Sequence, residues 1–355
     1  MALHFGARRA ITRQLRANAQ SIADAVTREF LERHPEWVQR YGDLARIRGV
    51  EDALFHVEFL IGALLAGDSV SFSRYAIWTA GVLGARGIGA DFLVENLEQV
   101  GEHAGRALYA EGREEVERLI AAGIAAIGGG AAARAAARQP GEAQPGERSL
   151  YLQAALAGDR TAALNIAHES LRAGATVLDV YQDMLQPAQY EIGRLWESNS
   201  ISVAREHEAT AVTQYVIARL HEHFPAATER RGNAVVTGVR NELHQLGANM
   251  VADVLEADGW NVRFLGTRLP HRDIVAAVAE HDASLVAISV ALLPHLEAAA
   301  DLIEDLRAKF GDAVRVIVGG AAFGTDGEAW REIGADGSSR ELRGTRDLVR
   351  RLTAA

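Results

Sequence analysis

Cysteine is absent from all 355 residues. Its absence excludes disulfides, thiolate metal sites, thiol nucleophiles and thioether attachment of a chromophore. Lysine is almost absent: Lys309 stands alone, in "EDLRAKFGD", a stretch that reads as a surface helix. Schiff-base chemistry is therefore not expected, and any prosthetic group must be held non-covalently or through a metal. No run of about 18 or more apolar residues occurs, so no membrane span is expected. The start "MALHFGARRAITRQL" lacks the apolar core and cleavage site of a signal peptide, which makes the cytoplasm the expected location. Acidic side chains outnumber basic ones, 47 to 37, for a net charge of −10. Nucleic acid is not expected as a direct partner, because phosphate binding needs a basic face.

What remains, 48% hydrophobic and 24% charged, is the composition of a soluble globular protein with two or three domains. Residues 1–127 read as all helix. "ITRQLRANAQSIADAVTREFLERHP", "GVEDALFHVEFLIGALLAGD", "SVSFSRYAIWTAGVLGARGI" and the long stretch from Gly89 to Ile127 carry apolar positions at three- and four-residue steps. "GGGAAARAAARQPGEAQPGERS", residues 128–149, has no periodicity and reads as a flexible linker. Residues 150–226 predict a small four-helix bundle: a hairpin turning at "GDR", then "TVLDVYQDMLQPAQYEIGRLWES" and "SVAREHEATAVTQYVIARLHEHF". Pro187 falls inside the third helix and should kink it.

From residue 230 to 355 the texture changes. "NAVVTGV", "NVRFLG", "SLVAISV" and "VRVIVGG" are short β-branched runs without polar alternation, and a fifth strand is expected near "ADGSS". Helical stretches beginning near Leu246, His271, Pro294 and Thr325 separate them. Continuous apolar strands between helices mean a parallel sheet buried on both faces, a doubly wound α/β domain. Such sheets bind ligands beyond the carboxyl ends of their strands, where the strand order switches. With the order 2-1-3-4-5, the loops after the first, third and fourth strands share that edge. The first loop, "RNELHQLG", lacks the glycines of a dinucleotide fingerprint, and no P-loop pattern occurs. It offers His244 with Glu242 two residues before it. A carboxylate bonded to one ring nitrogen fixes the tautomer and makes the other nitrogen a better metal donor. Taken alone, His244 reads as readily as an ordinary loop histidine.

"E-L-H-Q-L-G", followed by "S-V-A-L" and then "G-G", resembles the cobalamin-binding domain, whose usual pattern is Asp-x-His-x-x-Gly, a distal serine motif and Gly-Gly. The resemblance implies that His244 is the lower cobalt ligand. Glu242 stands where an aspartate is usual, and Gly247 lets the following helix approach. Ser289, Gly319 and Gly320 would line the slot for the detached nucleotide tail. In the bundle, Trp196 is followed after nine residues by Glu206-His207. With Ser202 as cap of the fourth helix, these residues sit on adjacent ends of antiparallel helices and can face one space. This Trp-x9-Glu-His motif is similar to that of the light-sensing cobalamin proteins, where a bundle covers the upper face of adenosylcobalamin and the tryptophan packs on the adenosyl group. Proteins of that kind carry a histidine directly after the tryptophan. Glu197 holds that place here, which leaves His207 as the candidate upper ligand after photolysis.

A helical, globin-like domain ahead of such a module resembles the photocobilins, which pair adenosylcobalamin with biliverdin. That resemblance implies a non-covalent bilin, for which His56, Arg74, Tyr75, Trp78 and Arg86 are the candidate contacts. Haem is the competing ligand, with His56 or His103 as axial donor. The expected function is a non-enzymatic light sensor. It would break the cobalt–carbon bond of adenosylcobalamin, change conformation and homo-oligomeric assembly, and signal through that change or through a separate output protein. No DNA-binding helix-turn-helix is expected ahead of the module. The alternative is a corrinoid methyl carrier serving a partner methyltransferase.

Overall fold

The computed structural model describes residues 3–129, 146–324 and 328–354. Most of the expected linker, and the helix start expected near Thr325, lie outside the described residues. The chain divides into two compact units, Met1–Arg138 and Gln139–Ala355. Among the described residues, no helix is long and apolar enough to cross a membrane.

The first unit contains α1 (Phe5–Arg33), α2 (Pro35–Tyr41), α3 (Asp43–Ala66), α4 (Ser69–Gly84), α5 (Ala90–Arg106) and α6 (Ala110–Gly128). Local chemistry sets several of their ends. Pro35 occupies the first turn of α2 and keeps His34 out of the helical conformation, which stops α1. Gly67 closes α3 in the left-handed region, φ +76°, its N–H reaching the Ala63 and Leu64 carbonyls. Asp68 then caps α4 by accepting from the Ser71 amide at 2.7 Å. Two features differ from the sequence reading. The short α2 was not expected, and the long stretch from Gly89 is two helices, broken at Ala107–Tyr109. Leu60, Leu64, Phe72, Leu97 and Leu119 are fully buried in this unit.

In the second unit, α7 (Glu147–Leu156) and α8 (Arg160–Arg172) form the expected hairpin. The third bundle helix is not uniform: α9 (Val177–Asp179) runs through a π-helical segment, Val180–Leu185, into α10 (Gln186–Glu197). Pro187 has no N–H for the Asp183 carbonyl, and that carbonyl accepts from Arg148 Nε at 2.9 Å instead. The sequence led to the expectation of a kink at Pro187, and the structure shows π winding just before it. Ser202 caps α11 (Val203–Leu220) through the Arg205 amide. Tyr151, Tyr181, Leu185, Ile192 and Val216 fill the bundle's centre, and Met250, Val254 and Leu342 of the sheet domain belong to the same core.

The sheet domain holds β1 (Gly232–Gly238), α12 (Leu246–Ala257), β2 (Trp260–Gly266), α13 (His271–Glu280) and β3 (Leu285–Ser289). After these come α14 (Leu296–Phe310), β4 (Arg315–Gly319), α15 (Ala329–Glu332), β5 (Gly337–Ser339) and α16 (Leu342–Thr353). All strand pairs are parallel, in the expected order β2-β1-β3-β4-β5. Ala234, Val236, Leu285, Ala287 and Ile317 pack with Ala248, Ala252 and Leu255 of α12 and Val349 of α16. Their neighbours Val235, Val286, Ile288, Val316 and Val318 are buried as well, so both faces are covered. The register places Gly238, Ser289, Gly319 and Ser339 side by side in one row across the carboxyl edge. Beyond that row Gly320 adopts φ +103°, and a Cβ there would lie 2.2 Å from the Val290 carbonyl oxygen. Gly320→Ala should therefore lower stability by roughly 2–4 kcal/mol. Denaturant unfolding checks this, and an unchanged midpoint would refute the strain argument.

Candidate functional site

The site is built on a buried carboxylate. Where β1 ends, the chain turns through Asn241 at φ +68° and sends the Glu242 side chain under the loop, where it is fully buried. One oxygen accepts from the amides of Leu243 and His244, both at 2.9 Å, and from His244 Nδ1 at 2.7 Å. The other accepts from the Ala291 amide at 2.8 Å and His295 Nδ1 at 3.0 Å. Burial pushes this carboxyl's pKa up, but the two imidazoles and the backbone amides outweigh it and hold the group well below the usual carboxylate range. The same bond raises the pKa of His244 against the opposing effect of burial.

This arrangement fixes how His244 can act. Its Nδ1 faces a carboxylate that can only accept, so the neutral ring carries its proton there and presents the Nε2 lone pair outward. The side chain is 59% exposed. The Glu206 carboxylate of α11 adds to the raised pKa of His244. Glu206 is half-buried, accepts from Thr210 Oγ1 at 3.0 Å and bonds the ring of its exposed neighbour His207. The same hydroxyl lies 3.1 Å from Gln189 Oε1, the alternative acceptor for its one hydrogen. Trp196, at the end of α10, is half-buried on the adjoining helix.

The other expected residues fall on the same edge. Ser289, Gly319 and Gly320 are half-buried at the ends of β3 and β4. The Val290 amide donates to the Gly319 carbonyl at 2.8 Å, and Ala322 donates back to Val290. A Cβ at Gly319 would meet the Ser339 carbonyl at 2.6 Å, so both glycines are required by the protein's own backbone. Apart from its chain neighbours and its own helix backbone, nothing lies within 4 Å of where a Gly247 Cβ would be, so that side of α12 is open. Sequence reasoning missed His295, the second imidazole on Glu242. Its available signal was a histidine following Pro294 in the loop after the third strand.

In the first unit, His56 and Tyr75 are buried and joined, Nδ1 to hydroxyl, at 2.6 Å. Burial pushes the imidazole down to about 4. Tyr75 stacks on Phe59 with centroids 3.8 Å apart, and Trp78 lies tilted beside it. Arg74 and Arg86 are exposed, Arg86 donating to the Val82 carbonyl. His103 Nε2 lies 3.0 Å from a Glu29 carboxylate oxygen.

Comparison with known proteins agrees with the edge geometry. Residues 232–346 match the family model of the B12 binding domain, and residues 148–221 match a second model of the same description. The chain carries B12-binding domains. It is 28% identical over 173 residues to dimethylamine corrinoid protein 3 of Methanosarcina acetivorans, covering 48% of this chain and 80% of that protein. It is 31% identical over 176 residues to the HTH-type transcriptional repressor CarH of Myxococcus xanthus, covering 49% of this chain and 58% of the repressor. The monomethylamine corrinoid protein of Methanosarcina barkeri shares the fold, with a TM-score of 0.52 at 20% identity over 57% of this chain and 96% of that one. The residues fit a B12 group. His244 is an oriented imidazole with an outward lone pair, carried by the loop after β1 at the carboxyl edge where Gly238, Ser289 and Gly319 lie in one row.

Replacing the carboxylate tests the relay. In Glu242→Gln the His244 pKa should fall back toward its ordinary 6.5, followed by NMR titration of the ring; an unmoved titration would overturn the assignment. Glu242 is depressed in the fold, so its stabilisation is complete at neutral pH and is lost as pH falls below the ordinary 4.5 toward its folded value. The variant should lose that part of the acid sensitivity.

Proposed function

We propose that this chain is a light-responsive switch that uses adenosylcobalamin, with the bundle as its movable cap. The observation that carries the reading is the oriented imidazole of His244 on its buried Glu242 carboxylate, at the carboxyl edge of a sheet domain that shares its core with the bundle. The resemblance of Trp-x9-Glu-His to the light-sensing cobalamin proteins supports it, as does the likeness to a transcriptional repressor. Adenosylcobalamin supplies a cobalt–carbon bond that light can break.

This chain's residues do the rest. His244 would hold the cobalt through Nε2, and Glu242 keeps the Nδ1 proton in place so that the lone pair stays available. The row Gly238, Ser289, Gly319 and Ser339 provides a surface without bulky side chains for the nucleotide tail. Trp196 supplies an apolar cover that excludes water from the upper side. Glu206 holds the His207 ring and is itself held by Thr210, so His207 is poised as the replacement ligand. The readout is a changed homo-oligomeric assembly or contact with a separate output protein.

Protein loaded with adenosylcobalamin in the dark should lose its spectrum under green light and shift its elution volume, and His244→Ala should change the dark spectrum. A loaded protein unaffected by light would overturn the proposal. That outcome favours a methyl carrier serving a methyltransferase, a reading supported by the likeness to methylamine corrinoid proteins.

The proposal extends to biliverdin in the first unit, held without a covalent bond and in contact with His56, Arg74, Tyr75, Trp78 and Arg86. Because Phe59 and Tyr75 stack tightly there, a bilin must displace rings, and its entry should quench tryptophan emission and give a red-shifted absorption band. Titration with biliverdin that gives neither signal would remove this part.

A further inference from the structure

A second cluster lies where the bundle passes into the sheet domain. His221 directly follows α11 and faces α12, on which Asp253 and Glu256 stand one turn apart. Its Nδ1 is 3.1 Å from Asp253 Oδ1, and its Nε2 is 3.5 Å from Glu256 Oε2. One ligand atom from each of the three side chains lies within 4.8 Å of the other two. Asp253 is only 8% exposed, and the Tyr181 hydroxyl, fully buried in the bundle, donates to its Oδ2 at 2.8 Å.

We infer that His221, Asp253 and Glu256 form a binding site for a divalent cation of the zinc type, which fastens the end of the bundle to α12. One imidazole and two carboxylates are a zinc donor set, leaving a fourth position for water. Tyr181 does for Asp253 what outer partners do at metal sites: it fixes the carboxylate's orientation. The donors come from two elements, the end of the bundle and α12, so a bound ion adds a restraint on how far the bundle's end can leave α12. This inference is independent of the B12 reading.

The test uses the full chain, stripped with chelator and free of cobalamin, titrated with zinc chloride by calorimetry and followed by thermal unfolding. The site predicts one zinc per chain and a rise in Tm on the order of 5 °C at a hundredfold excess over Kd. His221 and Glu256 are 48% and 41% exposed, so His221→Ala and Glu256→Gln should fold normally and lose both the heat and the rise. His244→Ala should keep both. The inference is overturned if zinc gives no saturable heat, as expected of a proton shared between His221 and the carboxylates, or if the rise survives in His221→Ala and Glu256→Gln.

Discussion

A carboxylate in a protein interior is tolerable only when its charge is met by donors from every side. Glu242 meets that condition with five, drawn from two separate loops, and this requirement organises the whole carboxyl edge. The loop after β1 must curl so that its own amides and the His244 ring reach one oxygen. The loop after β3 must bring the Ala291 amide and His295 to the other. That second loop then sits so close to Gly320 that the loop after β4 tolerates no side chain there. Three loops are thus set by one ionised group, and the outward lone pair of His244 is a by-product of satisfying it.

The two functional readings share everything below the ligand plane and differ above it. His244, Glu242 and the row of small residues serve a photoreceptor and a methyl carrier equally well. The difference between them would lie on the bundle, where the proposal gives Trp196 the part of an apolar cover. A carrier must open this side to a partner enzyme, whereas a sensor gains from keeping it closed until light acts.

Most of the fold is legible along the chain because it rests on local patterns. Unbroken β-branched runs marked the strands within a residue or two, and Ser202 announced its cap. His244 was legible because its partner Glu242 is two residues away. His295 was not, since its contact with Glu242 spans 53 positions and leaves no periodic trace. Pro187 revealed an irregularity but not its form, because the group that satisfies the Asp183 carbonyl, Arg148, is contributed by a different helix. The break at Ala107–Tyr109 has no proline or glycine to mark it.

The core that bundle and sheet domain hold in common has a mechanical meaning. Met250, Val254 and Leu342 are at most 5% exposed, and each contributes about 1.5–3 kcal/mol by staying out of water. Lifting the bundle clear of all three would cost roughly 5–9 kcal/mol, a state reached by fewer than about one molecule in a thousand. Bundle and sheet domain are therefore held along the seam beside α12 and α16, and any rearrangement of the bundle has to keep these three side chains out of water.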